Sequence, residues 1–582
     1  MILRFLSHVV VALLLLYSHL LSARDSASLH EISSLPTWQS LIHSSEDKAQ
    51  LSEPTFLLSN ESFSATRELE LTLELINSNI EEAYCRFPAR TIFLKHHLNL
   101  NIPSLETTLA SCPELKKYIE HVPFDRLELV FASEIFSSAT SMMGHIFLKA
   151  GGKNFRDVEV NHSLAYFTEI TTLNPAKLLT ESLVTGMPGF FTVRPFAKDI
   201  KQYLEIEQRN LWQFRLKSNE FNRRLLQLHL WELKGAELVY YFQSYNCATL
   251  TLELISLLDP DVLKEKQLFV SPVDVVKAAE KHGLIEQTQV LASPKWLLNS
   301  IEDELTTTEK SAIEPWVNNP SEKGLSLLSP LSQQYLSLAH PQKYDSVNGA
   351  KDFGIDLSDY KHPAKTPQDS AFGVGYTNSK HGDTVALSFL SSGHYLSGDN
   401  RQYLHESELV MGKVSGTINL DTNSVKLSEA TIYSVKNLTP SSQFNQSWST
   451  EFYLGYRPAY SHDLSLGSLG EIAFGFGKSK KLHRDISGYL HLVGGVTSNI
   501  RDQEWYSQIK SGLIIDLVND SKLSTEVSWG SGKWHKTASI LKANLAFSWF
   551  PSTDQSVAMT WRFAENNEHS SHSLGVEYNH YF

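Results

Sequence analysis

The chain has 582 residues, more acidic than basic side chains (64 Asp and Glu against 51 Lys and Arg) and a formal net charge of -13. That length exceeds one ordinary core and implies about three or four structural units. The acidic balance, with a pI near 6.0, excludes the basic surface a nucleic-acid partner needs, and no run of Lys and Arg marks an anionic-lipid patch.

The chain opens Met1-Ile-Leu-Arg4, runs apolar from Phe5 to Leu21 and exits on Ser22-Ala23. One early cation, a short apolar core and a small-residue exit predict a secretory signal peptide over residues 1–23. The competing reading, an uncleaved anchor, is disfavoured because Ser7 and His8 interrupt the apolar core. No Cys follows that core, so a lipid-anchored amino terminus is not expected. Export leads to an oxidising compartment, where thiols pair. Of three cysteines, Cys85 and Cys112 sit close together and are expected to form a disulfide. Cys247 is then odd: either buried and inert, or kept for chemistry.

Residues 24–121 read as a helical, polar N-terminal unit. Leu69, Leu71, Leu73 and Leu75 lie in a Glu-rich stretch, and Leu105 to Ile119 is a second helix carrying Cys112. From Arg126 the pattern shifts to strands at Leu127–Phe131 and Ile146–Leu148, and Val158–Val160 with Leu164–Phe167 suggests another. Helices are expected at Ile200 to Leu216, Glu220 to Leu233 and Cys247 to Leu258, the last stopped by Pro260. Residues 122–265 therefore form a compact α+β domain. Residues 266–362 are mostly helical, broken at Pro320 and Pro330, and read as a connector.

From 363 to 582 a period of two dominates. Trp448, Thr450, Phe452, Leu454 and Tyr456 share a face, as do Ile472, Phe474 and Phe476. The pattern returns at Leu541 to Trp549, at Val557 to Phe563 and at Leu574, Val576, Tyr578, His580 and Phe582. About twelve such segments of roughly ten residues predict an antiparallel transmembrane β-barrel. A soluble β-sandwich also alternates, but its strands are shorter and lack aromatic clusters at their ends. Phe582, with Gly575 and Tyr578 upstream, resembles the carboxy-terminal signal read by the outer-membrane assembly machinery. After the signal no apolar run of about 18 residues remains for a helical span.

The candidate chemistry centres on Cys247, which opens the expected helix in Tyr245-Asn-Cys-Ala-Thr-Leu250. Unpaired N–H groups and a partial positive charge at a helix start stabilise a thiolate and lower the cysteine pKa. They also suit the oxyanion of an acyl-transfer intermediate. The bland alternative is a small buried hydrophobe. His145 follows Gly144 at the start of a strand and offers a general base, against the alternative of a structural histidine. A third group should orient the imidazole, and the next strand supplies Asn161 and His162, between which the sequence does not choose.

A His-bearing strand followed by a helix opened with Asn-Cys is the order of circularly permuted papain-like (NlpC-type) enzymes, lecithin–retinol acyltransferase among them. The stretch from Ala83 to Leu258 most resembles the periplasmic domain of the Lnb-type lipoprotein N-acyltransferases. The blocks that carry this are Cys85-Arg-Phe-Pro-Ala-Arg90, Ser141-Met-Met-Gly-His-Ile-Phe-Leu148, Glu207-Gln-Arg-Asn-Leu-Trp212, His229-Leu-Trp-Glu-Leu-Lys234 and Tyr241 through Leu250. The resemblance places the catalytic pair on His145 and Cys247. The chain departs from the family at Met143, often Phe, and Asn210, often Asp; the barrel is a further departure.

Ser141, Asn246, Glu207, Arg209 and Trp212 are candidate substrate-binding or supporting residues, the last three as an ion pair beside the site or a solvated helix face. The leading expectation is an envelope acyltransferase or acyl hydrolase working through a Cys247 thioester. Its substrates would be phospholipid and lipoprotein at the periplasmic face of the outer membrane. The alternatives are a peptidoglycan amidase or endopeptidase, and a non-catalytic envelope module. No cofactor is expected, and no clustered His and Cys spacing suggests a metal.

Overall fold

The computed structural model describes residues 29–45, 48–51, 55–134, 143–168, 177, 180–181, 185–236, 238–242, 244–267, 269–320, 325–344, 360–461, 463–498, 503–532 and 539–582. The signal-peptide expectation and Ser141 lie outside the described residues. Two compact units divide the chain. The first falls within Met1–Phe131, Ile146–Ile200 and Trp212–Gln289, the second within Ala132–His145, Lys201–Leu211 and Val290–Phe582.

In the first unit, helices Ala65–Ser78, Ile80–Arg86 and Pro88–Leu98 follow one another. Ser64 caps the first by accepting from the Arg67 amide, and Asn79 caps the second through Glu82. Cys85 and Cys112 are disulfide bonded, their Cα atoms 5.2 Å apart. The single helix expected from Leu105 to Ile119 is instead two pieces. Leu105–Thr108 tightens into a 3-10 turn, Cys112 leaves the helix, and Pro113 starts Pro113–His121. Proline at 113 disfavours a helical Cys112 and suits the first turn of the new helix.

A seven-stranded sheet runs in the order Leu238–Tyr240, Met187–Pro195, Glu159–Thr168, His145–Lys153, Arg126–Ala132, Leu211–Leu216, Ile285–Leu291. Met187–Pro195 and Leu238–Tyr240 have no counterpart in the sequence expectation, and two further strands stand where it places helix. The long helix expected from Ile200 to Leu216 ends after one π-helical turn, Lys201–Ile206, because Gln208 turns left-handed (φ 56°). Leu211–Leu216 then enters the sheet with five of its six residues buried. A strand buried on both faces loses the alternation that would announce it. Ile285–Leu291 likewise replaces helix with a sheet-edge strand. Helix Pro272–Lys281, closed by a Ser271–Asp274 capping box, buries Val275, Val276, Ala278 and Ala279.

The second unit combines helices with a closed barrel. Helices Pro294–Glu304, Thr307–Asn318 and Pro330–Ala339 bury Ile301, Ile313, Tyr335 and Leu336 around one core. Twelve antiparallel strands, from Ala371–Ser379 to Ser570–Tyr581, close when the last pairs with the first, Ala371 opposite Tyr581 and Ser379 opposite Ser573. Phe582 stacks on Phe372, ring centroids 5.0 Å apart.

The barrel's two faces are inverted relative to a soluble protein. Val374, Ile472, Phe474, Leu492, Trp529, Met559, Trp561 and Val576 are exposed on its outside. Glu451, Glu471, His491, Lys510 and Lys522 are buried within. An apolar exterior around a charged interior is the surface of a barrel that crosses a membrane. Inside, Lys436 reaches Glu526 at 2.7 Å and Glu451 at 3.5 Å, and Lys510 reaches Glu451 at 2.6 Å. Lys436 and Glu526 stand on the fourth and ninth strands, so their bond spans the lumen.

Long loops gather at the end where the first strand starts. Segments 395–406 and 438–448 join strands there, whereas 380–383, 420–424 and 461–465 are short turns at the other end. Ser442 donates to Glu302 at 2.7 Å, and Phe444 packs into the helical core. The barrel's elaboration is therefore on the side of its termini.

Candidate active site

Cys247 is the first residue of helix Cys247–Ile255, and Asn246 is its cap. The Asn246 side-chain oxygen accepts from the amides of Ala248 (2.8 Å) and Thr249 (3.0 Å). Its Nδ2 donates to the carbonyls of Phe242 (2.9 Å) and Val270 (3.1 Å). All four valences are used to fix where the helix begins, and so where the sulfur sits. Asn246 is thus a positioning residue rather than one that faces a ligand.

Cys247 is unpaired and buried. Its sulfur is faced by the amide N–H of Ile146, the hydroxyl of Tyr240, the amide of Ala248 and its own amide. Burial pushes the Cys247 thiol above its ordinary value, and these donors pull the other way without overcoming it. The sequence expectation of a depressed thiol is therefore corrected. A helix start alone does not offset full desolvation of a thiolate. What the donors provide is a place for negative charge once a proton has been removed.

Tyr240 and Tyr166 lie toward the sulfur, with Tyr245 packed against Tyr166. Tyr240 and Tyr166 have ring centroids 5.2 Å apart, and Tyr166 lies 6.2 Å from Tyr245. Tyr245 donates to Glu253 at 3.2 Å on the same helix as Cys247. The Tyr166 hydroxyl is buried and has no hydrogen-bond partner among the described residues.

His145 is the first residue of strand His145–Lys153 and directly precedes Ile146. The Tyr203 ring packs on it, centroids 6.2 Å apart. Arg209 lies over Tyr203 at 5.1 Å, pairs with Glu207 at 2.8 Å and donates to the Ala132 carbonyl at 2.8 Å. Glu207 and Arg209 therefore do form an ion pair, with Arg209 almost fully buried, and it braces Tyr203. Trp212 is buried in its strand, stacked near Phe214 at 6.4 Å. Met143 brings its sulfur within 3.7 Å of the Ser392 hydroxyl on barrel strand Thr384–His394.

Asn161 and His162 are not at this place. They pair with Gly151 and Ala150, six and five residues along the strand from His145. At about 3.3 Å per residue that is roughly 17–20 Å. Neither orients the imidazole. Their choice rested on sequence order, whereas the antiparallel register carries them to the far end of the strand. Burial and the neighbouring His121 hold the His162 imidazole below its ordinary value.

Behind the Cys247 helix lies a polar network that the sequence did not announce. His43 Nδ1 meets Glu253 at 2.8 Å and His43 Nε2 meets His229 at 3.0 Å. Lys266 donates to Glu253 at 2.8 Å. Glu232 accepts from the amides of Ala89 (2.7 Å) and Arg90 (3.0 Å), and Arg90 pairs with Glu68 at 2.8 Å. Burial pushes the Glu232 carboxyl up to about 7 against the pull of Arg90. Burial, then His43 and Arg90, hold His229 well below its ordinary value. No group of three or more metal-ligating side chains occurs among the described residues.

Comparison with known proteins divides the chain in the same way. Residues 114–282 match the family model described as Lnb N-terminal periplasmic domain. Residues 361–581 match a domain of unknown function (DUF7840), and residues 30–97 match another (DUF7843). No curated protein matches. Among solved structures, the KdgM porin is similar at 11% identity, over 36% of this chain and 99% of its own, with a TM-score of 0.24. The NanC porin is similar at 7% identity over 37% and 100%, with a TM-score of 0.24. An outer membrane channel from Pseudomonas putida F1 is similar at 15% identity over 39% and 100%, with a TM-score of 0.25. The chain is an outer-membrane barrel protein with a periplasmic domain, as the barrel's own surfaces and the match over 114–282 require.

Proposed function

We propose that the periplasmic domain is a cysteine-dependent acyltransferase, with Cys247 as nucleophile and His145 as general base. One observation carries the reading: the buried Cys247 opens a helix, where the Ile146 and Ala248 amides and the Tyr240 hydroxyl favour its thiolate. Such donors favour a thiolate, the form in which a cysteine attacks. Because the resting thiol is held neutral, His145 takes its proton as attack begins. The thiolate adds to an acyl carbonyl, the leaving alcohol receives the proton from His145, and a thioester remains on Cys247. An acceptor amine then attacks the thioester, and the chain returns to its starting state.

On this reading the sheet and helix Cys247–Ile255 form a permuted papain-like core, with the His-bearing strand preceding the Cys-bearing helix. Tyr203, braced by Arg209, positions His145 in place of the third group sought among Asn161 and His162. The acyl donor is a phospholipid and the acceptor a lipoprotein amino terminus. The name of the matched family supports this direction. So does the tie between Met143 and the barrel strand, which keeps the His145 segment at the membrane that holds the donor. Phe582, stacked on Phe372 at the barrel seam, fits recognition by the assembly machinery.

The test is mass analysis of lipoprotein amino termini and of muropeptides in parent and Cys247→Ala strains. Loss of an amide-linked acyl chain from lipoproteins is expected. Unchanged lipoproteins with altered muropeptides would replace the reading with a peptidoglycan amidase.

A further inference from the structure

Tyr166 carries a feature that thiol chemistry alone does not use. It sits on strand Glu159–Thr168 with only 2% of its surface exposed. Its hydroxyl has no partner among the described residues. A buried hydroxyl left without a hydrogen bond is costly, and native structures rarely leave one without a bound ligand or ordered water to complete it. The hydroxyl rests against the bare backbone of Gly189. A Cβ added at Gly189 would come within 2.4 Å of the Tyr166 oxygen. Gly189 thus gives the phenol its position at the cost of a side chain.

The place is next to the candidate nucleophile. The Tyr166 ring lies against Tyr240, whose hydroxyl faces the Cys247 sulfur, and against Tyr245, which is anchored on the Cys247 helix through Glu253. Tyr166 lies within electrostatic range of a Cys247 thiolate. Tyr240 and the three amides already face sulfur, so a carbonyl oxygen arriving there needs a donor of its own.

We infer that Tyr166 is a substrate-contacting catalytic residue, its hydroxyl donating a hydrogen bond to the acyl carbonyl oxygen as Cys247 attacks. This rests on the acyl-transfer reading of Cys247. In the step, the C–S bond forms while the carbonyl π pair moves onto oxygen, and Tyr166 holds that oxyanion without giving up its proton. When the oxyanion collapses, the C–O bond to the leaving alcohol breaks and the alkoxide takes its proton from His145. A preorganised donor of this type is worth about 10²–10³ in rate. The ligand class is an oxygen ester with an unhindered acyl carbonyl.

The full chain, purified in detergent, tests this with two reagents. p-Nitrophenyl butyrate acylates Cys247 through an oxyanion, whereas iodoacetamide alkylates it without one. Tyr166→Phe is expected to slow acylation about 10²-fold and to leave alkylation within about twofold. Gly189→Ala, which pushes the hydroxyl aside, is expected to slow acylation in the same selective way. Equal loss in both reactions would make Tyr166 structural, and unchanged acylation in Tyr166→Phe would remove its role while leaving Cys247 as nucleophile. Wild-type protein that is alkylated but never acylated would overturn the acyl-transfer reading and Tyr166's role together.

Discussion

The amide N–H of Ile146 faces the sulfur of Cys247, joining the residue after the His145 position to the head of a helix 101 residues later in the chain. That relationship gives the thiol a charge-stabilising neighbour while burial keeps it protonated. Reactivity should therefore follow the raised thiol. Alkylation of Cys247 by iodoacetamide is expected to climb with pH and to reach its midpoint above that of a free cysteine. A plateau already reached near pH 6 would mean a resting thiolate–imidazolium pair instead. The pH–rate profile of the full chain in detergent decides between them.

Asn246→Ala should loosen the same site from beneath. The variant loses the helix cap, worth about 1 kcal/mol, and leaves the buried Val270 carbonyl without its donor, costing about 1–3 kcal/mol. Asn246→Asp keeps the cap and loses only the donor, so it should fall between parent and Ala. Denaturant unfolding of the three proteins ranks them, and Asp equal to Ala would contradict the division of labour within the side chain.

The buried network behind the helix makes a second pH prediction. Glu232, raised to about 7, binds a proton in the folded state that the unfolded chain has released above its ordinary value of 4.5. It therefore lowers stability as pH rises between those two values. His229, depressed, stays neutral when folded while the unfolded chain protonates below 6.5, so stability falls as pH drops below that point. Between 4.5 and 6.5 the two slopes oppose. The expected profile is nearly flat there, falls at lower pH through His229 and falls from 6.5 to about 7 through Glu232. Glu232→Gln removes one slope, so heat unfolding of that variant should already weaken below 6.5, by about 1.4 kcal/mol per pH unit. A variant with the parent's flat profile would contradict the assignment.

The barrel interior gives a separate expectation. Lys436, Glu526, Glu451 and Lys510 tie strands together across the lumen. Breaking such a pair on both sides removes the obstruction without leaving one buried charge alone. Lys436→Ala combined with Glu526→Ala is expected to turn a barrel that is silent in planar bilayers into one with frequent openings. Equal steady conductance in parent and double variant would show that these bonds do not close it.

The barrel was legible because its two surfaces meet different solvents. Ile472, Phe474 and Phe476 face outward while Glu451 and Lys510 face inward, so alternation is written into each strand. Leu211–Leu216 was illegible for the opposite reason: buried on both faces, it has no polar side to alternate with. The helix start at Cys247 and the disulfide were readable from local chemistry. The network of His43, His229 and Glu253 was not, since its members come together from 186 and 210 positions apart and obey no spacing. Asn161 and His162 failed as partners of His145 because proximity in sequence said nothing about register. Tyr203 was missed for the same reason in reverse, reaching His145 from beyond a strand pair.

The most direct test of the central proposal is whether Cys247 itself carries an acyl chain. Full-length protein in detergent is incubated with phospholipid bearing an isotopically labelled acyl chain, and the Cys247 peptide is examined by mass spectrometry before and after hydroxylamine. A labelled, hydroxylamine-sensitive acyl adduct on Cys247, reduced in His145→Ala and absent in Cys247→Ala, is the expected result. A Cys247 peptide that stays unmodified at every pH, while remaining open to alkylation, would contradict thioester chemistry at this site.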